Sequence, residues 1–136
     1  MKARMIDTDT LSFILRGQEP VLTQARAYVR DYGKLAVSVL TCYEILRGLI
    51  YAGATTKLMA FETFLRANHV FTLDLAVCRR SAEIHATLCQ KGMLLEDADL
   101  LIASTAIVNG CVLVTHNVAH YERVPEIELE DWMKEN

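Results

Sequence analysis

Two carboxylates stand close together in MIDTDTLS, where Asp7 and Asp9 follow a short apolar run. An acid in that place suits three roles. It can attack a phosphoryl group, it can hold a magnesium ion at a site that cuts nucleic acid, or it can cap a helix that follows a strand. Further polar groups bear on the choice: Glu44 in TCYEILRGL, Asp97 and Asp99 in EDADLLIAS, and Asn117 just after CVLVT. Clustered carboxylates repel and raise one another's pKa unless a cation sits among them. A cage built only of oxygens suits Mg2+ or Mn2+, not zinc. Those ions hold phosphate oxygens and lower the pKa of a bound water, so the acid set points to phosphate chemistry if its members meet.

Whether they meet depends on the elements that carry them. Residues 3–6 read as a strand and 10–15 as the start of a helix. Pro20 suits the first turn of a second helix, with Val21, Leu22, Ala25 and Val29 at helical spacing and Gly33 as its stop. Residues 35–39 form a β-branched strand, and 41–52 and 56–67 two helices. A third strand fits 69–73, a long helix 77–90 and another helix 99–108. The apolar run 111–115 is the clearest strand, and 127–132 adds an edge strand. Near-continuous apolar strands alternating with helices predict one α/β domain over residues 1–136, a three-layer fold with a mostly parallel sheet of four to five strands and helices on both faces. In such sheets ligands gather at the carboxyl ends of the strands. Asp7, Glu44, Asp99 and Asn117 all fall there.

Each of these residues also has a purely structural use. Thr41-x-x-Glu44 has the form of a capping box. Asp9, Asp97 and Asn117 are competent N-caps, each contributing about 1 kcal/mol. Singly, capping is the simpler account. As a set it is less so, because Ser or Thr also cap, yet here ionised carboxylates stand at three separate strand ends.

Composition narrows the class. The chain is 52% hydrophobic and 23% charged, as a folded globular protein is and a disordered one is not. No apolar run reaches the length of a membrane span, and MKARMID meets an acid too early for a secretory signal, so a cytoplasmic location is expected. Cys42, Cys78, Cys89 and Cys111 show no C-x-x-C spacing and read as buried, reduced thiols. His116 and His120 have a zinc-compatible separation, without a third ligand at clear spacing. A net charge of −3 argues against a strongly basic nucleic-acid surface, though not against a local patch drawn from Arg26, Arg30, Lys34, Arg47, Arg79 and Arg80.

The segments MIDTDTLS, SVLTCYEILRGL and EDADLLIASTAIVNGCVLVTHNVAHYERVPEIELEDW, in that order, resemble the successive motifs of PIN-domain ribonucleases, and in particular VapC-type toxins of type II toxin–antitoxin pairs. The first motif alone is weak, whereas the second and third together with the terminal pattern of Val124, Pro125, Ile127, Asp131 and Trp132 are specific, and the likeness covers essentially the whole chain. It implies a magnesium-dependent endoribonuclease, with Mn2+ as a substitute, that leaves a 5′-phosphate and a 3′-hydroxyl. Asp7, Glu44 and Asp99 match the family's three acids as metal ligands, and Asn117 its more variable fourth polar position. Thr8 and Thr115 match flanking hydroxyls. Asp9 stands where the family more often has Asn, and Asp97 adds an acid beside Asp99; these two and Asn117 are the less secure metal ligands. The resemblance further implies an RNA substrate, a small antitoxin partner, and homodimers or toxin–antitoxin hetero-oligomers. Leu46, Leu49, Ile50 and Tyr51 offer a surface for self-association.

A second family competes for the first motif. D-T-D-T-L also resembles the opening motif of haloacid-dehalogenase-like phosphatases, with Asp7 as nucleophile. That assignment leaves Glu44 without a task and offers only Lys91 as its lysine. A binding module that no longer turns over is the third alternative.

Overall fold

Strands that are apolar on both faces must be covered on both, and the arrangement of this chain follows from that requirement. The computed structural model describes residues 2–134. In order along the chain lie β1 (Arg4–Ile6), α1 (Thr8–Leu15), α2 (Val21–Tyr32), β2 (Ala36–Ser38), α3 (Val39–Tyr51) and α4 (Thr55–Ala67). There follow β3 (His69–Phe71), α5 (Leu75–Gln90), α6 (Asp97–Val108), β4 (Val112–Val114), α7 (Val118–Tyr121) and β5 (Leu129–Glu130). The strands form one five-stranded sheet in the order β3-β2-β1-β4-β5. Every neighbouring pair is parallel.

Side chains alternate across the strands and so divide the core into two layers. Met5, Ala36 and Leu113 face one side and pack with Ile84 and Leu88 of α5, with Leu100, Ile102 and Ala103 of α6, and with Tyr121. Ile6, Val37 and Val114 face the other and pack with Leu11, Val21, Ala25, Ile45 and Phe61 from α1 to α4. Helix α6 is buried at Leu100 and continuously from Ile102 to Ala106. Its Ser104 and Thr105 hydroxyls are satisfied by the carbonyls of Leu100 and Leu101, at 2.8 and 2.7 Å.

The order of strands fixes where a site can form. The chain builds outward from β1 to β2 and β3, then returns to lay β4 against the opposite edge of β1. The direction of growth therefore reverses between β1 and β4, and a crevice opens beyond their carboxyl ends. Ile6 is in register with both Val37 and Val114. The Asp7 amide continues the ladder by donating to the Val114 carbonyl at 3.0 Å.

The helices begin earlier than their apolar patterns suggest. Asp7, Ser38 and Asp74 each cap a helix through a side-chain oxygen. Each strand or turn residue thus serves as the cap itself, and no loop separates β1 from α1 or β2 from α3. The capping box expected at Thr41 and Glu44 is absent for this reason: both lie inside α3. Asp9 lies in the first turn of α1, not at its cap. Two of the four thiols depart from expectation, since Cys78 and Cys89 are exposed while Cys42 and Cys111 are buried, all free. The buried stripe of α5 runs through Val77, Ser81, Ile84 and Leu88, and the two exposed cysteines fall one residue off it.

The edge strand β5 is only two residues long. Side chains reinforce its backbone pairing with β4. Arg4 reaches past β4 to Glu130 at 2.9 Å, and the Trp132 indole N–H donates to the same carboxylate at 2.8 Å. Trp132 is buried and lies 5.8 Å from the Tyr28 ring. We expect Trp132→Ala to lower unfolding stability by about 3–5 kcal/mol, the usual loss for a large buried aromatic. Denaturant titration checks this, and a loss under about 1 kcal/mol would show that the tail is not part of the core.

Candidate functional site

Asp7 is the first residue beyond β1, where a parallel central strand leaves little access to water. It is 4% exposed. Its Oδ1 accepts the Thr10 amide at 2.8 Å, so the acid is also the cap of α1. Burial pushes its carboxyl pKa above the ordinary value. Hydrogen bonds from the Thr115 hydroxyl and from Thr10 oppose that rise, and the charge of Asp9 adds to it. Thr10 itself is anchored to the Val114 carbonyl at 3.2 Å, which ties the cap to β4.

Glu44 arrives from α3. The Thr8 hydroxyl donates to its Oε1 at 2.7 Å and lies 3.1 Å from the Thr41 hydroxyl. The first residue of α1 thereby fixes an acid on α3. Asp99, in the first turn of α6, is held at both oxygens. Tyr121 donates to Oδ1 at 3.2 Å, and His120 Nε2 lies 3.0 Å from Oδ2. Tyr121 is buried, and burial first, then the charges of Asp99 and Asp7, drive its phenol pKa upward, so it stays a proton donor. Asn117 occupies the cap position of α7 without a side-chain capping bond, while its amide donates to the Thr115 hydroxyl at 3.0 Å.

Asp7, Asp9, Glu44, Asp99 and Asn117 line one polar cleft of about 130 Å3, together with Thr8, Ile102 and Tyr121. Neither lysine nor arginine lines it. Four carboxylates thus share a small cleft at the point where the sheet reverses, with His120 and Tyr121 supporting one of them. Among the described residues, no three His, Cys, Asp or Glu side chains gather tightly enough to grip an ion directly. The cleft of about 130 Å3 has room for water beside these carboxylates.

Asp97 does not belong to this set. It is exposed at the start of α6, and residues two apart on a helix lie on opposite faces, so the turn that brings Asp99 inward carries Asp97 outward. Nor does Asp97 cap α6, because Glu96 holds that position. His116 and His120 serve different carboxylates, Asp131 at 3.1 Å and Asp99 at 3.0 Å, and do not form a zinc pair. The sequence marked neither Thr10 as a site residue, nor Thr41 except as a capping partner, nor His120 except by its zinc-compatible spacing, nor Tyr121 at all. The last two follow Asn117 by three and four residues on the single turn of α7, and no apolar periodicity marks so short a helix.

Comparison with known proteins adds context to this geometry. The family model of the PIN domain matches residues 4–127. The chain is 28% identical over 129 residues to the tRNA(fMet)-specific endonuclease VapC of Salmonella typhimurium, covering 94% of this chain and 96% of that one. It is 31% identical over 106 residues to ribonuclease VapC1 of Methanocaldococcus jannaschii, covering 78% and 76%. Among solved structures, DNA-bound VapBC from Salmonella typhimurium superposes with a TM-score of 0.86 at 28% identity, over 97% of this chain and 99% of that one.

The electrostatics of Asp7 give a measurable consequence. Its pKa is higher folded than unfolded, so ionising it costs stability in full above the folded value and nothing below the unfolded one. Asn retains an oxygen for the Thr10 amide and carries no charge. In EDTA at neutral pH, Asp7→Asn is expected to melt above the wild type, and the gap should close as pH falls into the ordinary carboxylate range. Thermal melts across pH test this; a gap that does not change with pH would mean Asp7 ionises freely.

Proposed function

The chain belongs to the PIN-domain family, in its VapC branch, and from that premise we propose that it is a metal-dependent endoribonuclease and the toxin of a toxin–antitoxin pair. The observation that carries the reading is the convergence of Asp7, Glu44 and Asp99, from three separate elements, on a cleft lined by neither lysine nor arginine. Such a set is unfavourable alone and becomes favourable with a divalent cation. The donors are all oxygens, and the cleft leaves room for water, which suits Mg2+ or Mn2+ since magnesium keeps several of its waters.

Asp7, Glu44 and Asp99 would hold the metal, with Asp9 and Asn117 at its margin. When bound, such an ion supplies Lewis acidity toward a phosphodiester and a more acidic water. The rest of the work belongs to the chain. Thr8 keeps Glu44 turned into the cleft, and His120 and Tyr121 fix the plane of Asp99. Thr10 and Thr115 keep Asp7 aimed despite its burial. Asn117 offers a neutral amide that can orient a water or a phosphate oxygen. Carboxylates held this way need little rearrangement during the reaction.

Two of the relatives are named as RNA-cleaving enzymes, and the solved neighbour is a VapBC complex on DNA. On that basis the substrate is RNA and the partner a small cognate antitoxin, in a hetero-oligomer or beside a homodimer. No helix among the described residues is long and apolar enough to cross a membrane. We place the protein in the cytoplasm, where RNA and antitoxin are made. The phosphatase alternative is weaker, since Glu44 sits in the cleft and no lysine does.

Purified protein incubated with RNA and Mg2+ should produce internal cuts that EDTA abolishes. Asp7→Asn should slow cleavage by about 10²–10³-fold, the scale of losing one preorganised charged group. A phosphate-monoester dye in parallel tubes should remain intact. Dye hydrolysis without RNA cleavage would favour the phosphatase, and turnover of neither would favour a binding module.

A further inference from the structure

The four acids of the cleft are not held alike. Asp7 accepts the Thr10 amide, Glu44 the Thr8 hydroxyl, and Asp99 the Tyr121 hydroxyl beside His120. Asp9 lines the same cleft, yet no donor among the described residues bonds to its carboxylate and no cation pairs with it. It is also the exposed member of the set, where Asp7 is buried and Glu44 and Asp99 are half-buried. Asp9 borders both the cleft and the larger groove that opens from it between α1, α3 and α4, so it stands at the cleft mouth.

Its charge reaches inward from there. Burial is the main cause that lifts the Asp7 carboxyl, and Asp9 adds to it. At the Tyr121 phenol, Asp9 adds to burial and to the charges of Asp99 and Asp7. A charge that acts on groups fixed deeper in the cleft acts also on an ion among them, with the sign reversed. Helix α1 has a use of its own for an acid in its first turn, which the macrodipole favours. That use is already served by Asp7, which caps the helix. A second acid two residues on brings repulsion with it.

Magnesium binds through one or two carboxylates and keeps several waters. Acids whose direction is fixed by donors suit direct coordination. An acid free to turn at the mouth suits the water shell. We propose that Asp9 sets the cation affinity of the cleft from its mouth, by its charge and through the waters of the ion, and not as a direct ligand. The proposal rests on the metal-dependent reading and names the residue that tunes it. The three held acids decide geometry; Asp9 decides how much cation is needed to fill them.

The test reads binding without turnover, from the electron paramagnetic resonance signal of free Mn2+ titrated with the 136-residue chain. Melting temperatures confirm that each variant is folded. Asp9→Asn should bind Mn2+ about 5–10-fold more weakly, the contribution of one unit charge toward a divalent ion a water layer away. Asp9→Glu keeps the charge and should stay within about twofold of the wild type. Hexaamminecobalt(III) mimics a fully hydrated ion and exchanges none of its ligands. It should displace Mn2+ from the wild type, and Asp9→Asn should weaken it at least as much as Mn2+. Asp99→Asn should instead weaken Mn2+ more than hexaamminecobalt(III). Unchanged Mn2+ affinity in Asp9→Asn, whatever its melting temperature, sinks the role of Asp9 alone. Asp9→Glu as weak as Asp9→Asn would overturn it too, as would Asp9→Asn losing Mn2+ but not hexaamminecobalt(III), since either marks a direct ligand. Wild-type protein that binds no Mn2+ sinks the metal-dependent reading and this proposal with it. Asp9-dependent Mn2+ binding without RNA cleavage sinks the ribonuclease reading alone.

Discussion

Everything in this molecule that has chemical interest depends on one costly placement, a carboxylate buried at the carboxyl end of the central strand. β1 is flanked by β2 and β4 and covered on both faces, so whatever residue follows Ile6 is withdrawn from water. An acid there is tolerated only because the fold surrounds it with donors. The Thr10 amide and the Thr115 hydroxyl face Asp7, and hydrogen bonds to a charged group contribute about 1.5–3 kcal/mol each. Because the same side chain caps α1, its position is set by the start of a helix and not by a flexible loop. Removing the cap would loosen the helix and the acid together.

The other acids follow the same logic with different partners. Glu44 is held by a hydroxyl from α1, and Asp99 by two donors from α7. In each case the donor and the acid come from different elements. The cleft therefore exists only when α1 packs on α3 and α7 closes over α6. Packing and polar order reinforce one another, and the repulsion among the carboxylates is borne by the tertiary structure as a whole. A set assembled in this way is rigid where it matters. Its electrostatic imbalance persists in the folded protein and is available to a cation.

How much of this was legible beforehand varies with the length of the signal. The apolar runs placed all five strands, and Asp7 and Glu44 reach the cleft after β1 and β2 because topology, not local sequence, gathers strand ends, whereas Asp99 arrives at the start of α6, with α5 between it and the preceding strand. Boundaries were less legible. Asp7, Ser38 and Asp74 cap their helices from strand or turn positions, so the helices begin before their apolar stripes do. Asp97 and Asp99 look equivalent in EDADLLIAS, and only the helical turn of α6 separates an outward acid from an inward one. α7 has four residues, too few for any period to show, and with it went His120 and Tyr121. The cations were the least legible of all. Of the six basic residues that the sequence offered for a patch, only Arg47 lines the groove that opens from the cleft between α1, α3 and α4, and Arg80 is instead paired with Glu83 and Glu126. Arg16 and Lys57 join Arg47 only once α1 and α4 are laid on either side of α3.

The division of charge between cleft and groove resolves what the net charge alone obscures. A chain at −3 should repel a polyanion, yet at physiological ionic strength charges are felt over only about 8 Å, so a bound strand senses its immediate surroundings. In the groove that opens from the cleft between α1, α3 and α4 those surroundings include Arg16, Arg47 and Lys57, none of them paired with a carboxylate among the described residues; in the cleft they include four carboxylates. On the ribonuclease reading, cations beside the cleft favour a nearby phosphate strand, while the cleft by itself disfavours the one phosphate that is to react. That opposition is relieved only where positive charge is added to the cleft. Substrate and cation then favour each other's binding, and the buried carboxylate that makes the folded chain less stable is the group that makes the pairing selective.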